Sequence, residues 1–340
     1  MNVLNRITIA IILLMIIARE SVAQSVPPLE RVLTIDFSHE RIETVLSRIA
    51  KDVKITFSYN AAILDSRKDV TESFKGKTVR EILEQLFGGT VTYKDKGSYI
   101  ILMKATAPSL KTSSTNDIDI PLFIHGYIMN GSTGDKLSEV SIYDKKSLTA
   151  AISNQYGYFK LEIEKPGNKN QIAISKRNFL DTAITVTRNN AGFITILLNP
   201  ERSPQTVLIA SADTSMISVD TTTRVPYPEP IGTEEVLSEG QINVRNIQDT
   251  LYRDFQVSLL PFVGTNKNLS GNVMNGFSFN LLGGYSFGTK HIEVGGLFNM
   301  DRGNVSAFQL AGVFNMNGGS MTGFQAAGLY NVNRTGFSGA

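Results

Sequence analysis

The chain has 340 residues, of which 42% are hydrophobic and 19% charged, with a formal net charge of +2. That length gives room for two or three domains, each able to bury a core of its own. The near-neutral balance, without a Lys/Arg cluster interleaved with stacking aromatics, points away from a nucleic-acid partner, and the absence of cysteine excludes disulfides and thiolate chemistry.

At the N-terminus Asn5 and Arg6 precede an apolar run from Ile7 to Ile17, followed by the small-residue tripeptide Ser21-Val22-Ala23. The run is too short to cross a hydrocarbon core of about 30 Å as a helix. Residues 1–23 are therefore expected to be a signal peptide that exports the chain. Nowhere later does the sequence supply about 20 continuous apolar residues, so a membrane would have to be entered by strands.

From Arg31 the sequence RVLTIDF alternates as a strand, and Ile42, Val45, Leu46 and Ile49 mark one face of a helix for which Ser38 is the expected N-cap, with Glu40 in its first turn. KITFSYN follows as a strand. The order then repeats: VTESFKGK as strand and turn, a helix with Val79, Ile82, Leu83 and Leu86 on one face and Gly88-Gly89 as its stop, and a hairpin around Asp95, Lys96 and Gly97. Two β-α-β units in residues 28–104 predict a small α+β domain. The runs LTIDF (33–37), IETVLSRIAKDVKITFSY (42–59) and FKGKTVREILEQLFGGTVTYKDKGSYIIL (74–102) resemble the short N-terminal domain of secretins and TonB-dependent receptors. That resemblance implies a periplasmic domain making protein contacts, in some receptors with an anti-sigma regulator. Arg41, Arg48, Lys51, Arg80 and Glu84, on the helices, are the candidate partner surface.

Residues 105–120, rich in Ser, Thr and Asn, read as a linker. Seven strand-length segments follow in 121–200, from LFIHGYIM to FITILLN, and predict an all-β sandwich. The order Ile124-His125-Gly126-Tyr127-Ile128, Thr133-Gly134-Asp135-Lys136-Leu137, Val140-Ser141-Ile142 and Ser153-Asn154-Gln155-Tyr156-Gly157-Tyr158-Phe159 resembles the carboxypeptidase regulatory-like domain, a transthyretin-like sandwich. There Gly157 would take a turn of positive φ ahead of a strand. The three histidines, His39, His125 and His291, fall in three different segments and in no zinc-peptidase spacing. Neither a Gly-x-Ser-x-Gly elbow nor a phosphate loop is present. No catalytic residue, metal or cofactor is therefore expected.

Residues 201–248, with Pro226, Pro228 and Pro230, read as a second linker. From Leu251 onward the only Asp, Glu, Lys or Arg residues are Arg253, Asp254, Lys267, Lys290, Glu293, Asp301, Arg302 and Arg334. This region, 249–340, ends in three 16-residue units, IEVGGLFNMDRGNVSA, FQLAGVFNMNGGSMTG and FQAAGLYNVNRTGFSG, and stops one residue into a fourth. The interruption suggests a repeat array that continues further. Low charge and aromatics near strand ends, Phe262, Tyr285, Phe298 and Phe314 among them, predict part of an outer-membrane β-barrel. The alternative is a β-solenoid of 16-residue coils, favoured by the likeness of the connections DRGNVSA and NGGSMTG. The Phe/Asn/Gly units are also similar to a class of bacterial surface repeats.

The chain as a whole is expected to be a multidomain, non-enzymatic, receptor-like protein of the periplasm and outer membrane of a two-membrane bacterium. Its partners would be that membrane and a periplasmic or inner-membrane protein of anti-sigma or TonB type. A TonB-dependent nutrient receptor is the alternative, and an envelope enzyme the third class.

Overall fold

The structure, a computed structural model, describes residues 26–64, 69–104, 121–201 and 237–340. The expected signal peptide (1–23), the linker 105–120 and residues 202–236 of the second linker lie outside the described residues. The chain divides into two compact units, Met1–Thr112 and Ser113–Ala340.

In the first unit β1 (Val32–Arg41) leads into α1 (Ile42–Asp52) and β2 (Thr56–Ser58); then come β3 (Asp69–Thr78), α2 (Val79–Phe87), β4 (Val91–Lys96) and β5 (Tyr99–Lys104). β1 and β3 pair antiparallel, while β5 lies between β2, to which it is parallel, and β4, to which it is antiparallel. The alternation of β1 buries Leu33, Ile35 and Phe37 against the apolar faces of both helices, with Phe74 of β3 and Ile100 of β5 completing the core. Thr78 and Glu81 form a reciprocal capping box at the start of α2, and Gly88 ends it in the left-handed region at φ +54°. The start of α1 differs from expectation. β1 runs on to Arg41 through a bulge at which His39 takes φ +50°, so Glu40 belongs to the strand and neither Ser38 nor any other side chain caps the helix. Pairing with β3 holds these residues extended and outweighs the local capping preference of Ser38.

The second unit opens with the seven expected strands: β6 (Leu122–Asn130), β7 (Ser141–Asp144), β8 (Thr149–Ile152), β9 (Tyr158–Ile163), β10 (Asn170–Ser175), β11 (Thr182–Val186) and β12 (Gly192–Leu198). They form a four-stranded sheet β11-β10-β7-β8 and a three-stranded sheet β12-β6-β9 in which β12 and β6 are parallel. Inward residues of both sheets, among them Ile124, Ile142, Phe159, Leu161 and Ile174, share one core. Gly157 has φ +73° at the turn into β9, and a Cβ there would approach the Ile128 carbonyl to 3.0 Å.

The second linker was expected to reach residue 248, but α3 (Glu239–Asn246) lies within it. Ser238 and Gln241 make its capping box. The apolar signal in this stretch is weak because the helix is fixed by polar contacts to its neighbours. Asn246 Nδ2 donates to the Glu139 carbonyl (2.6 Å), Arg245 pairs with Glu139 (2.7 Å), and Asn243 Nδ2 donates to the Asn268 carbonyl (3.1 Å).

After α3 the chain coils. The strands are β13 (Leu251–Leu260), β14 (Val263–Gly264), β15 (Val273–Asn280), β16 (Gly283–Ser286), β17 (Gly288–Gly295), β18 (Phe298–Asp301), β19 (Val305–Ala311), β20 (Phe314–Asn317), β21 (Ser320–Ala327), β22 (Tyr330–Asn333) and β23 (Gly336–Gly339). They sort into a long sheet, β14-β13-β15-β17-β19-β21-β23, and a short sheet, β16-β18-β20-β22. Apart from the β13–β14 turn every pairing in both sheets is parallel. This corrects the barrel expectation: an up-and-down barrel needs antiparallel neighbours, whereas here each 16-residue unit returns to lie on the one before it. Phe298 pairs with Phe314 and Phe314 with Tyr330, a spacing of 16 residues at each step. The region is a β-solenoid of two-sided coils. Its first coil packs directly on the sandwich, where Tyr143 and Leu148 share a buried cluster with Ile247, Leu251, Leu269 and Val273.

Candidate functional site

The coils are built inside out. In the short sheet the repeated Phe-Asn-Met-Asn alternates with period two, so Asn299, Asn315 and Asn331 lie in one row and Phe298, Phe314 and Tyr330 in the adjacent one. Asn299 and Asn315 are fully buried. Asn280 Nδ2 donates to Asn299 Oδ1, Asn299 Nδ2 to Asn315 Oδ1 and Asn315 Nδ2 to Asn331 Oδ1, each at 2.9 Å. Their second amide hydrogens reach the facing long sheet, Asn299 at the Leu310 carbonyl (2.7 Å) and Asn315 at the Ala326 carbonyl (2.9 Å). A parallel row runs through Glu293, Gln309 and Gln325 of the long sheet, where Gln325 Nε2 donates to Gln309 Oε1 (2.8 Å) and Gln309 Nε2 to Glu293 Oε2 (2.7 Å). The middle of the solenoid is thus a stack of hydrogen-bonded amides, and the apolar residues inside it, Val305, Ala307 and Met321, form a small separate cluster.

One rung of this stack is acidic. Glu293 and Asp301 are both buried, and Gln309 Nε2 donates to both of them, at 2.7 Å to Glu293 and 3.0 Å to Asp301. Burial pushes the Glu293 carboxyl well above the usual carboxylate range, and the adjoining Asp301 adds to the effect; burial also raises Asp301, against hydrogen bonds from its neighbours. The next coils place Gln309 and Gln325 in the Glu293 row and Asn317 and Asn333 in the Asp301 row. A protonated carboxyl, with one donor oxygen and one acceptor oxygen, can take the place of an amide in these rows.

The apolar residues face outward instead. On the long sheet Phe255, Phe277, Ile292, Phe308 and Phe324 are register neighbours in consecutive strands, followed by a second row of Val257, Phe279, Val294, Leu310 and Ala326. Phe308 and Phe324 stack at 4.7 Å, and on the short sheet Phe298 stacks on Phe314 at 5.2 Å and Phe314 on Tyr330 at 5.3 Å. The two faces meet along a ridge of tight turns carrying Leu282, Leu297, Val313 and Leu329, the last 76% exposed. Each of these turns bonds to the previous coil, with the amides of Leu297, Val313 and Leu329 donating to the carbonyls of Leu282, Leu297 and Val313 at 2.7 to 2.8 Å. Glycine is required in the ridge because a Cβ on Gly296, Gly312 or Gly328 would lie 2.0 to 2.2 Å from a carbonyl oxygen of the coil before it. The opposite edge, with Arg302, Asn304, Ser320 and Arg334, is polar.

The proposed partner surface of the first unit is spread over differing environments. Arg41 and Lys51 are exposed. Arg48 pairs with Glu40 and lies 5.0 Å over the Phe37 ring. Arg80 turns inward to Glu30 at 2.8 Å, with side chains only 11% and 2% exposed. Glu84 is half-buried, and that burial raises its pKa against a hydrogen bond from Tyr93 and the charge of Arg80. His39, His125 and His291 lie on β1, β6 and β17, and no group of three or more His, Asp or Glu residues suited to a metal occurs among the described residues. An open cleft of about 310 Å³ at the seam of sandwich and solenoid is lined by Asp144, Glu164, Lys146, Lys165, Arg253 and Lys267 among others.

Sequence reasoning found the repeat rows but not their direction. The signal was present: Asn299/Asn315/Asn331 and Gln309/Gln325 are polar at every second position of otherwise apolar strands. No family model matches the chain, and no curated protein matches it.

Proposed function

We propose that the chain is a non-enzymatic envelope protein that is exported, holds to the outer membrane by the apolar exterior of its solenoid, and offers its α+β unit and sandwich to protein partners. The observation that carries the reading is the inversion of the solenoid, amides inside and Phe, Leu, Ile and Met outside on both faces and the ridge. A soluble protein seldom leaves so large a continuous apolar surface uncovered. Hydrocarbon is a fitting cover for it, because parallel rungs and ridge turns bond to one another and leave few backbone groups to water along the sides. The signal-type N-terminus and the resemblance of residues 28–104 and 121–200 to front-end domains of outer-membrane receptors agree with this reading. They also suggest a periplasmic or inner-membrane partner of anti-sigma or TonB type for the first unit.

Expressed at native level in a two-membrane bacterium, the full chain is expected to fractionate with the outer membrane, to resist extraction by high salt and to be released by detergent. Recovery in the aqueous fraction without detergent would overturn the reading.

A further inference from the structure

The apolar surface has a definite depth, and a collar marks where it stops. On the long sheet the ladder residues Phe255, Ile292, Phe308 and Phe324 are each preceded, two positions earlier, by Arg253, Lys290, Ser306 and Thr322, all exposed; a bulge interrupts the alternation between Thr289 and Ile292, and Arg253 also donates to the Lys146 carbonyl at 2.9 Å. On the short sheet the apolar Phe298 and Met300 give way at Arg302. Lys290 Nζ lies 4.9 Å over the exposed Tyr252 ring at this level. From Ile292 to the ridge at Leu297 is five steps, about 17 Å of extended chain. One leaflet contributes half of a hydrocarbon core of about 30 Å, or about 15 Å.

We infer that the solenoid enters one leaflet only, ridge first, and that the exposed cationic side chains at its border, Lys290 and Arg334 with Arg253, meet the phosphates of anionic lipids. The inference rests on the membrane-anchor reading above and adds its depth, its orientation and its headgroup chemistry. Three features favour a leaflet over a second copy of the chain or another protein. The apolar surface wraps two faces and the ridge between them, which a fluid surrounds and a single protein face does not. Its depth matches one leaflet. The exposed charge on the solenoid's own border strands is mainly cationic, Arg253, Lys290 and Arg334 against Asp254, while Asp144 and Glu164 of the sandwich line the cleft beside Arg253, and an aromatic lies at the same level, as at a membrane interface. The polar edge turns at Arg302–Asn304 and Gly318–Ser320 would be stranded in hydrocarbon if the solenoid crossed, so the geometry is that of a monotopic anchor.

The chain has no tryptophan, so single reporters can be read without background. Leu297→Trp and Leu329→Trp place one on the ridge, and Ser306→Trp and Thr322→Trp place one at the collar, all at exposed positions. Each purified full-length variant is mixed with phosphatidylcholine/phosphatidylglycerol vesicles brominated at either deep or shallow acyl positions. Ridge reporters should be quenched most by deep bromines and collar reporters most by shallow ones, with several-fold weaker binding when phosphatidylglycerol is omitted. A crossing solenoid would carry the ridge to the far headgroups, and shallow quenching of Leu297→Trp would overturn the inference while leaving the anchor reading intact. Unchanged binding to neutral vesicles would overturn its headgroup part. Failure to bind any vesicle, with a concentration-dependent dimer in sedimentation, would overturn both.

Discussion

Replacing Asn315 by Leu keeps the branching at Cγ and removes only the amide's hydrogen bonding, which makes it a direct test of the polar interior. Asn315 is fully buried and makes three bonds, accepting from Asn299 and donating to Asn331 Oδ1 and the Ala326 carbonyl, each at 2.9 Å. Asn331 is exposed, so water replaces its lost partner. Asn299 is not: one of its amide hydrogens keeps the Leu310 carbonyl, and the other is left without an acceptor inside the coil. A buried orphan donor costs about 1–3 kcal/mol, and the lost bond to Ala326 a further 0.5–1.5 kcal/mol or so. The expected loss is therefore about 2–4 kcal/mol, which accelerates exchange roughly 30- to 700-fold for amides that open with the coil. Hydrogen exchange with mass spectrometry on the full chain should place this acceleration in peptides covering 305–333 and leave 32–104 unchanged. Converting Asn299, Asn315 and Asn331 together to Leu should cost less than the sum of the three single changes, because donors and acceptors disappear as a set. If Asn315→Leu exchanged like the wild type, or if the three changes simply added, the amide stack would not be what holds the coils in place.

Two further outcomes follow from buried charge. The folded-state pKa of Glu293 and Asp301 is raised, so the stability they contribute is full below the ordinary carboxylate range and declines as pH rises through their raised folded values. The Glu293→Gln/Asp301→Asn variant should therefore gain on the wild type in thermal stability as pH goes from about 4 to about 8; a gap that shrinks with rising pH would refute the neutral pair. In the first unit, Arg80→Ala removes the ion pair to the buried Glu30 and should cost about 1.5–3 kcal/mol, the worth of a hydrogen bond to a charged group, read as faster exchange confined to residues 28–104; an unaltered pattern there would mean that the pair does not hold the unit together.

Much of the fold can be read from short-range pattern. Val79, Ile82, Leu83 and Leu86 at helical spacing, the Thr78–Glu81 box and the Gly88 stop are local signals, and α2 follows them. The seven sandwich strands were legible because each is a short strand-length run that ends at a turn. Ser38 misled because its competitor, pairing of β1 with β3, joins residues 28 to 46 positions apart. α3 was hidden for a similar reason: Asn243, Arg245 and Asn246 carry it through contacts with Asn268, Glu139 and Ser141, and its own residues read as linker. The barrel expectation failed at a different point. Strands that are apolar outside and polar inside belong equally to a membrane barrel and to an inside-out coil, so low charge and outward aromatics could not separate them. What could was the likeness of DRGNVSA and NGGSMTG, since coils reuse one connection and barrels alternate two.

The inverted interior also bears on register. Coils filled by interchangeable aliphatic side chains can slide by two residues and remain apolar inside, because the strand period is two. The glutamine row and the glycine ridge have no such freedom. Gln309 must meet Gln325, and the Asn299–Asn315 bond and the Phe298–Phe314–Tyr330 stack outside agree with the same alignment. Gly296 and Gly312 enforce it once more, because only glycine clears the carbonyl of the coil before. A two-residue slip would still set Asn299 against Asn317 in the short sheet, but in the long sheet it would place Gln309 opposite Gly323 or Ala327, and it would set a side chain where the ridge has no room for one. Register is thus carried by polar and steric constraints, which leaves the apolar residues free to face outward. An exterior of Phe, Leu and Ile is then compatible with a single native pairing, the combination that a lipid-facing solenoid requires and that an aliphatic interior would not supply.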